Sequence, residues 1–345
     1  MLKRVKRLEI ALYPTVKDVA RGAGVSVGTV SRVLAKNETV NPAIRQRVEE
    51  VIARLGYRPS SLGRNLRLNK SDIIGLIIPD ITNPFFAELA KHLETLASAA
   101  GYSVLLANTH EDPKAECKQV QSLLGRVPAG IVIAPVSGSL VGEILSDSLV
   151  SVTIDRALSG HSLVATDNFE GGRLAASHLL ELGHRRIGYI SGPSTTDVSI
   201  QRLNGFRGPI EEMLSTRSQG AVELTVLEGN FDYKSGEAIG RQLLQADIEH
   251  RPTAIATAND QQAIGLLRAS RDLGIRVPED LSIVGFDDIP LASLVLPRLT
   301  TVRQPIEEIA EIAVQAVLGR GPIVGQIKLK PALVERDSTA PPPVR

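Results

Sequence analysis

From Ile73 onward, short apolar runs alternate with amphipathic stretches of helical period, and this alternation constrains the fold more than any other feature. The runs read as strands are Ile73 to Ile78, Ser103 to Asn108, Gly130 to Ala134 and Val150 to Ile154. A second series follows at Arg186 to Ser191, Val222 to Leu227, Ala254 to Ala258 and Leu281 to Phe286. Helical stretches at Pro84 to Ala100, Gly171 to Leu182, Ile200 to Leu214, Lys234 to Gln245 and Asp260 to Leu273 separate them. Strand-helix alternation of this length implies an α/β class with parallel sheets covered on both faces. Two such series predict two similar lobes, although no strict repeat is visible.

The segment ahead of this pattern is different. Thr15-Val16-Lys17-Asp18 has the spacing of a capping box, and Gly22-Ala23-Gly24 ends the helix it opens. Ser26 caps a second helix, Val27 to Leu34. Asn41-Pro42 starts a third, whose stripe is Ile44, Val48, Val51, Ile52 and Leu55 before Gly56. Two short helices joined at glycine and braced by a third form a helix-turn-helix headpiece, whose second helix enters the DNA major groove. Val27, Gly28 and Arg32 are its exposed candidates: Arg32 has the fork for a guanine edge, and Val27 an apolar surface for a thymine methyl. The alternative for Arg32 is a solvated or phosphate-bound arginine. Thr29 and Ser31, with the cap residues Thr15, Ser26 and Asn41, suit phosphate contact or capping.

Charge supports this reading. Residues 1–70 hold 15 Lys/Arg and 5 Asp/Glu, while the remainder holds 24 and 33, so a net charge of +1 conceals a basic block on an acidic partner. Lys3, Arg4, Lys6 and Arg7 make residues 1–14 a basic arm, and no long apolar stretch follows, so neither a secretory signal nor a membrane span is expected. Cys117 is the single cysteine, which excludes an internal disulfide and a multi-cysteine zinc site. The expectation is a cytoplasmic protein without cofactor or metal.

In parallel sheets, ligands sit beyond the carboxyl ends of strands. Those ends carry Asp80, Asn83-Pro84-Phe85-Phe86, Asp155-Arg156, Asn259-Asp260, Asp287-Asp288 and Gln304. Carboxylates and amides for neighbouring hydroxyls, with aromatic faces for C–H surfaces, suit a sugar ring. Each residue has a plainer alternative: Asn83 and Asp260 as helix caps, Asp288 in a turn, Phe85 and Phe86 in the core. Catalysis finds no support. The six histidines lack H-E-x-x-H spacing and are expected on the surface or in helices, and no Gly-x-Gly-x-x-Gly follows a strand. Gly-x-Ser-x-Gly is absent too.

Thr15-Val16-Lys17-Asp18-Val19-Ala20, Gly24-Val25-Ser26 and Thr29-Val30-Ser31-Arg32-Val33-Leu34 resemble, without gaps, the headpiece of the LacI/GalR (lactose/purine/ribose repressor) family. The resemblance implies a transcription regulator, a repressor acting as a homodimer on a double-stranded DNA operator. It places Val27, Gly28 and Arg32 on base-reading positions, and Gly28 departs from the larger polar residue common there. Tyr57-Arg58-Pro59 followed by Leu66 resembles the family's hinge helix. Leu66 is then a minor-groove wedge, with Arg64 and Arg67 toward phosphates or the groove and Gly63 where alanine is usual.

The larger part resembles a periplasmic-binding-protein-like sensor, nearest in its motifs to ribose-type binding proteins. The resemblance places Asn83, Phe85, Phe86, Asp155, Arg156, Arg202, Phe231, Asn259, Asp287 and Gln304 on effector-contacting positions. The expected division is an arm over residues 1–14, a headpiece over 15–59, a hinge over 60–70, a two-lobed effector and dimerisation domain over 71–338, and a disordered tail over 339–345. A small sugar effector is expected, ribose or a related pentose first. Another sugar, a nucleoside or purine, or a phosphoprotein corepressor stays open, as does a sugar receptor with no DNA role. Pro341-Pro342-Pro343 and the lack of a leucine heptad speak against a tetramerising coiled coil.

Overall fold

A computed structural model of the chain describes residues 14–57, 71–136, 138–145, 149–215, 221–320 and 325–343. They form two compact units, divided after Ser71. Most of the basic arm and the whole expected hinge, with Gly63, Arg64, Leu66 and Arg67, lie outside the described residues.

The smaller unit has three helices, α1 (Val16–Ala23), α2 (Val27–Leu34) and α3 (Pro42–Leu55). Their starts are held by local polar bonds. Asp18 accepts from the Thr15 amide at 2.9 Å and the Thr15 hydroxyl at 2.7 Å, bonds that also hold its carboxyl below the usual range. Ser26 Oγ accepts from the Thr29 amide at 3.1 Å, and Asn41 Oδ1 from the Ala43 amide at 2.9 Å. Each occupies an amide that a helix start would otherwise leave unpaired. Gly24, at φ +62°, makes the turn between α1 and α2. Gly22 serves packing instead, since a Cβ there would lie 2.8 Å from Val51 Cγ1. Val19, Ala20, Ala23, Val30, Val33, Val40, Val48 and Val51 form a core of small side chains. Leu55, expected in that stripe, is exposed.

The larger unit starts with β1 (Ile73–Ile78), α4 (Pro84–Ala99), β2 (Ser103–Asn108), α5 (Pro113–Leu124) and β3 (Gly130–Ile133). α6 (Gly138–Ile144), β4 (Ser151–Ile154) and β5 (Ser162–Thr166) complete the first passage. The chain then crosses to a second lobe. There it forms α7 (Asn168–Glu181), β6 (Arg186–Ser191), α8 (Asp197–Ser215), β7 (Glu223–Glu228) and α9 (Tyr233–Leu244). β8 (Ala254–Thr257), α10 (Asp260–Asp272), β9 (Ser282–Asp287) and β10 (Thr300–Arg303) follow. It returns for α11 (Ile306–Val317) and β11 (Gln326–Leu329), and crosses once more for β12 (Ala332–Val334).

Each lobe is built on a six-stranded sheet, ordered β11-β5-β4-β3-β1-β2 and β12-β10-β9-β8-β6-β7, and β12 alone runs antiparallel. Central strands are buried along their whole length because helices cover both faces, which is why they read as unbroken apolar runs. The edge strands β2 and β7 are partly exposed. The three crossovers are bonded to one another: the Asp167 amide donates to Leu329 O at 2.8 Å, and Thr166 Oγ1 to Gln304 Oε1 at 2.6 Å.

Two expectations need correction. His184 is neither on the surface nor in a helix. It is fully buried between α7 and β6, bonded to Thr253 Oγ1, Ser282 Oγ and Ala340 O. The expected disordered tail is also packed at its start. Thr339 bonds His178, and Ala340 bonds Ser282 and His184. The two corrections share one cause: buried polar groups on α7 and β9 need partners, and the last strand's extension supplies them.

Candidate functional site

The carboxyl ends of β1, β4, β8 and β9 border a cavity of about 530 Å³ within the larger unit. Ten of the eleven predicted ligand-contacting residues line it. From the first lobe, Asp80 opens the turn after β1 and accepts from the Thr82 amide and hydroxyl at 2.9 and 2.8 Å. Asn83 is both a cap and a wall residue: its Oδ1 accepts from the Phe85 amide at 3.1 Å. Phe85 and Phe86 are buried, edge to face with centroids 5.0 Å apart, and still line the cavity, so the core and site readings both hold.

Asp155 stands at φ +63° in a three-residue turn closed by the Arg156 amide on Ile154 O at 2.6 Å. Burial pushes its carboxyl up, and Arg156 and Arg202 oppose that shift. Arg156 gives both terminal nitrogens to Glu111, each at 2.9 Å.

The second lobe places Arg202, Phe231, Asn259 and Asp287. α7 and α8 meet nearly backbone to backbone, because a Cβ at Gly172 would lie 2.0 Å from Arg202 O and one at Gly205 1.9 Å from Phe169 O. This contact sets Arg202, whose Nε donates to Asn168 Oδ1 at 2.8 Å and whose NH1 donates to Ala258 O at 2.6 Å. Its guanidinium lies 3.7 Å from the Phe286 ring centroid and 3.4 Å from Asp287 Oδ1. Asn259 caps α10 and donates to Phe231 O at 3.3 Å, fastening that aromatic at the wall.

Burial lifts Asp287 to about 6, against the pull of Arg202 and Gln304. Gln304 does not line the cavity. It stands behind Asp287, donating to Oδ1 at 2.7 Å. Asp288 turns away to Arg303 and Arg336. Asp260 is not the cap of α10. It accepts from Thr301 Oγ1 at 2.6 Å and the Ile289 amide at 2.9 Å, and burial beside Asp287 holds its carboxyl well above the usual range.

Sequence reasoning missed Glu111, Pro113, Val136, Pro193, Thr195, Thr196, Val198, Asn230 and Asp232. Glu111 was within reach of the strand-end rule, since it follows β2. Val136, Pro193 and Asn230 likewise follow β3, β6 and β7, while Pro113 and Val198 lie in the first turns of α5 and α8, where no strand-end signal points to them.

In the smaller unit, Val27, Gly28 and Arg32 are exposed on α2, and a Cβ at Gly28 would have only Ser26 Oγ, at 3.6 Å, within 4 Å. Thr29 is half-buried and bonded to Ser26 through its hydroxyl, and Ser31 is half-buried. Thr15 and Asn41 are exposed caps of α1 and α3.

Residues 15–60 match the family of bacterial regulatory proteins called lacI, and residues 176–339 match the periplasmic binding protein-like domain. The chain is 38% identical over 320 residues to the ribose operon repressor of Halalkalibacterium halodurans, across 92% of this chain and 91% of that protein. This chain belongs to the lacI family. Like its relatives it is a DNA-binding transcription regulator and not an enzyme.

Among solved structures, this lacI-family chain is similar to the lac repressor dimer bound to operator and the anti-inducer ONPF. The TM-score is 0.82 at 28% identity, over 95% of this chain and 99% of that one. A lacI-family regulator from Enterococcus faecium with bound ribose superposes with a TM-score of 0.68 at 29% identity, over 78% of this chain and 99% of that one. Among the described residues, no helix is long and apolar enough to cross a membrane.

Proposed function

We propose that this lacI-family regulator is a cytoplasmic repressor that binds a palindromic operator as a homodimer and is controlled by a pentose, ribose first, held between its lobes. The observation that carries the effector reading is the cavity itself. Asp80, Asn83, Asp155 and Arg156 from one lobe face Arg202, Asn259 and Asp287 from the other, with Phe85, Phe86 and Phe231 supplying ring surfaces. Paired acceptors and donors on two walls bind vicinal hydroxyls only when both lobes close on the same ring. Similarity to ribose operon repressors and to a ribose-bound regulator selects the pentose from that wider class. Gln304 acts on the effector through Asp287 rather than by touching it.

On DNA, α2 enters the major groove. Arg32 reads a guanine and Val27 a thymine methyl, while Thr15, Ser26, Thr29, Ser31 and Asn41 serve the phosphates. By the family resemblance, Leu66 serves as the minor-groove wedge, and Arg64 and Arg67 serve the phosphates or the groove. Closure of the lobes shifts the operator-binding equilibrium, by no more than the effector's difference in affinity for the two states.

The deciding experiment is a thermal-shift screen of pentoses, hexoses, nucleosides and purines. A ligand at about 100 times its dissociation constant adds about 2.7 kcal/mol to stability. A shift with ribose is expected, and a screen in which no pentose moves the melting temperature discards the pentose reading. For the DNA half, selection from randomised duplexes is expected to return a two-fold symmetric site. Equal retention of all sequences overturns it.

A further inference from the structure

The cavity wall carries five carboxylate side chains and two guanidiniums, Arg156 and Arg202. Neither guanidinium offers its fork to a ligand. Arg202 is turned to Asn168, Ala258 O and Asp287 inside its own lobe. Both terminal nitrogens of Arg156 are bonded to the two oxygens of Glu111 at 2.9 Å, in the parallel geometry that an arginine otherwise presents to a phosphate. What Arg156 keeps is Nε, buried, without a hydrogen-bond partner among the described residues and 3.6 Å from Asp155 Oδ2. The set of carboxylates and amides left on the wall matches hydroxyls, which donate as well as accept. It does not match a dianion, which needs several donors and is repelled by the surrounding carboxylates. The Arg156 side chain is 11% exposed and that of Glu111 is 48% exposed, so the pair sits at the cavity's rim with the arginine inward.

We propose that Glu111 sets the selectivity of this cavity. By filling the fork of Arg156, it reserves the site for uncharged polyols and turns away their phosphate esters. Glu111 is a positioning residue here, acting through Arg156, and the proposal rests on the effector reading given above.

The test titrates the full chain with D-ribose and D-ribose 5-phosphate by calorimetry, in the natural protein and in Glu111→Gln. The natural protein is expected to bind the ester at least tenfold more weakly than the free sugar. Glu111→Gln is expected to narrow that gap at least fivefold by strengthening the ester. An unchanged ratio overturns the proposal, since a merely structural role would weaken both ligands together.

A second arm uses inorganic phosphate against chloride of matched ionic strength, read as melting temperature, and needs no sugar. Glu111→Gln is expected to gain a saturable shift that the natural protein and the double variant E111Q/R156Q both lack. No gain over the natural protein overturns the role of Glu111. If ribose fails to bind the natural protein while the phosphate arm behaves as expected, the pentose reading falls and the role of Glu111 stands.

Discussion

Gln304 donates from Nε2 to Asp287 Oδ1 at 2.7 Å, and the same amide accepts the Thr166 hydroxyl at 2.6 Å through its oxygen. Asp287 lines the cavity, while Thr166 and Gln304 lie at two of the three crossovers between lobes. One fully buried amide therefore joins the carboxylate at the cavity wall to the segments that connect the two lobes.

Gln304→Leu removes both bonds while keeping similar bulk. A buried carboxylate and hydroxyl losing their partner cost about 1–3 kcal/mol each, so the melting temperature is expected to fall and effector affinity with it. Thr166→Val breaks only the far bond and leaves Asp287 supported. It is expected to lower the melting temperature with a smaller loss of affinity. Calorimetric titration of both variants with the same effector checks the ordering.

Asp287 also predicts a pH dependence. Its folded value of about 6 lies above the ordinary carboxylate value of 3.8. Its contribution to stability is therefore fully present below 3.8 and is lost as pH rises through 6. At pH 7.5 ionisation costs the fold about 3 kcal/mol. Asp287→Asn, which cannot ionise, is expected to melt higher than the natural protein at pH 7.5 and at nearly the same temperature at pH 4, while binding effector less well. A variant that is destabilised equally at both pH values contradicts the assignment.

His184 predicts the opposite limb. Burial lowers it from 6.5 to about 4, so its stabilising effect is present above 6.5 and is lost as pH falls through 4. Over that window the group removes about 3 kcal/mol as it is forced to charge. Melting temperature plotted against pH is expected to fall less steeply in His184→Asn than in the natural protein.

In the headpiece, Arg32→Ala is expected to relax sequence preference at one base pair by about 1–3 kcal/mol, with little change elsewhere in the site. Competition binding to single-position operator variants reads this directly. A uniform loss across all variants makes Arg32 a phosphate contact.

The elements that sequence placed well are those whose signals are local. Thr15 with Asp18, Ser26 with Thr29 and Asn41 with Pro42 define helix starts within three residues, and α1 to α3 begin where those signals lie. Strand ends were nearly as legible, because an apolar run that stops at a polar residue marks the place where a parallel strand leaves the sheet. That rule found Asp80, Asp155, Asn259 and Asp287. It gave no warning of α11 or β11, which return to the first lobe after a passage of more than a hundred residues through the second.

Residue identity along the chain was enough to determine two parallel α/β lobes, a three-helix headpiece and eight of the nineteen residues of the cavity's wall, since capping, periodicity and strand termination act over a few neighbours; Arg202 and Phe231 came only from the family resemblance. Only the tertiary structure decided that Gln304 stands behind Asp287, that Glu111 holds Arg156 and that His184 is buried against the last residues. Those pairs are 17, 45 and 156 positions apart. Desolvation compels buried polar groups to find partners, but which partner is in reach depends on how the sheets and crossovers pack.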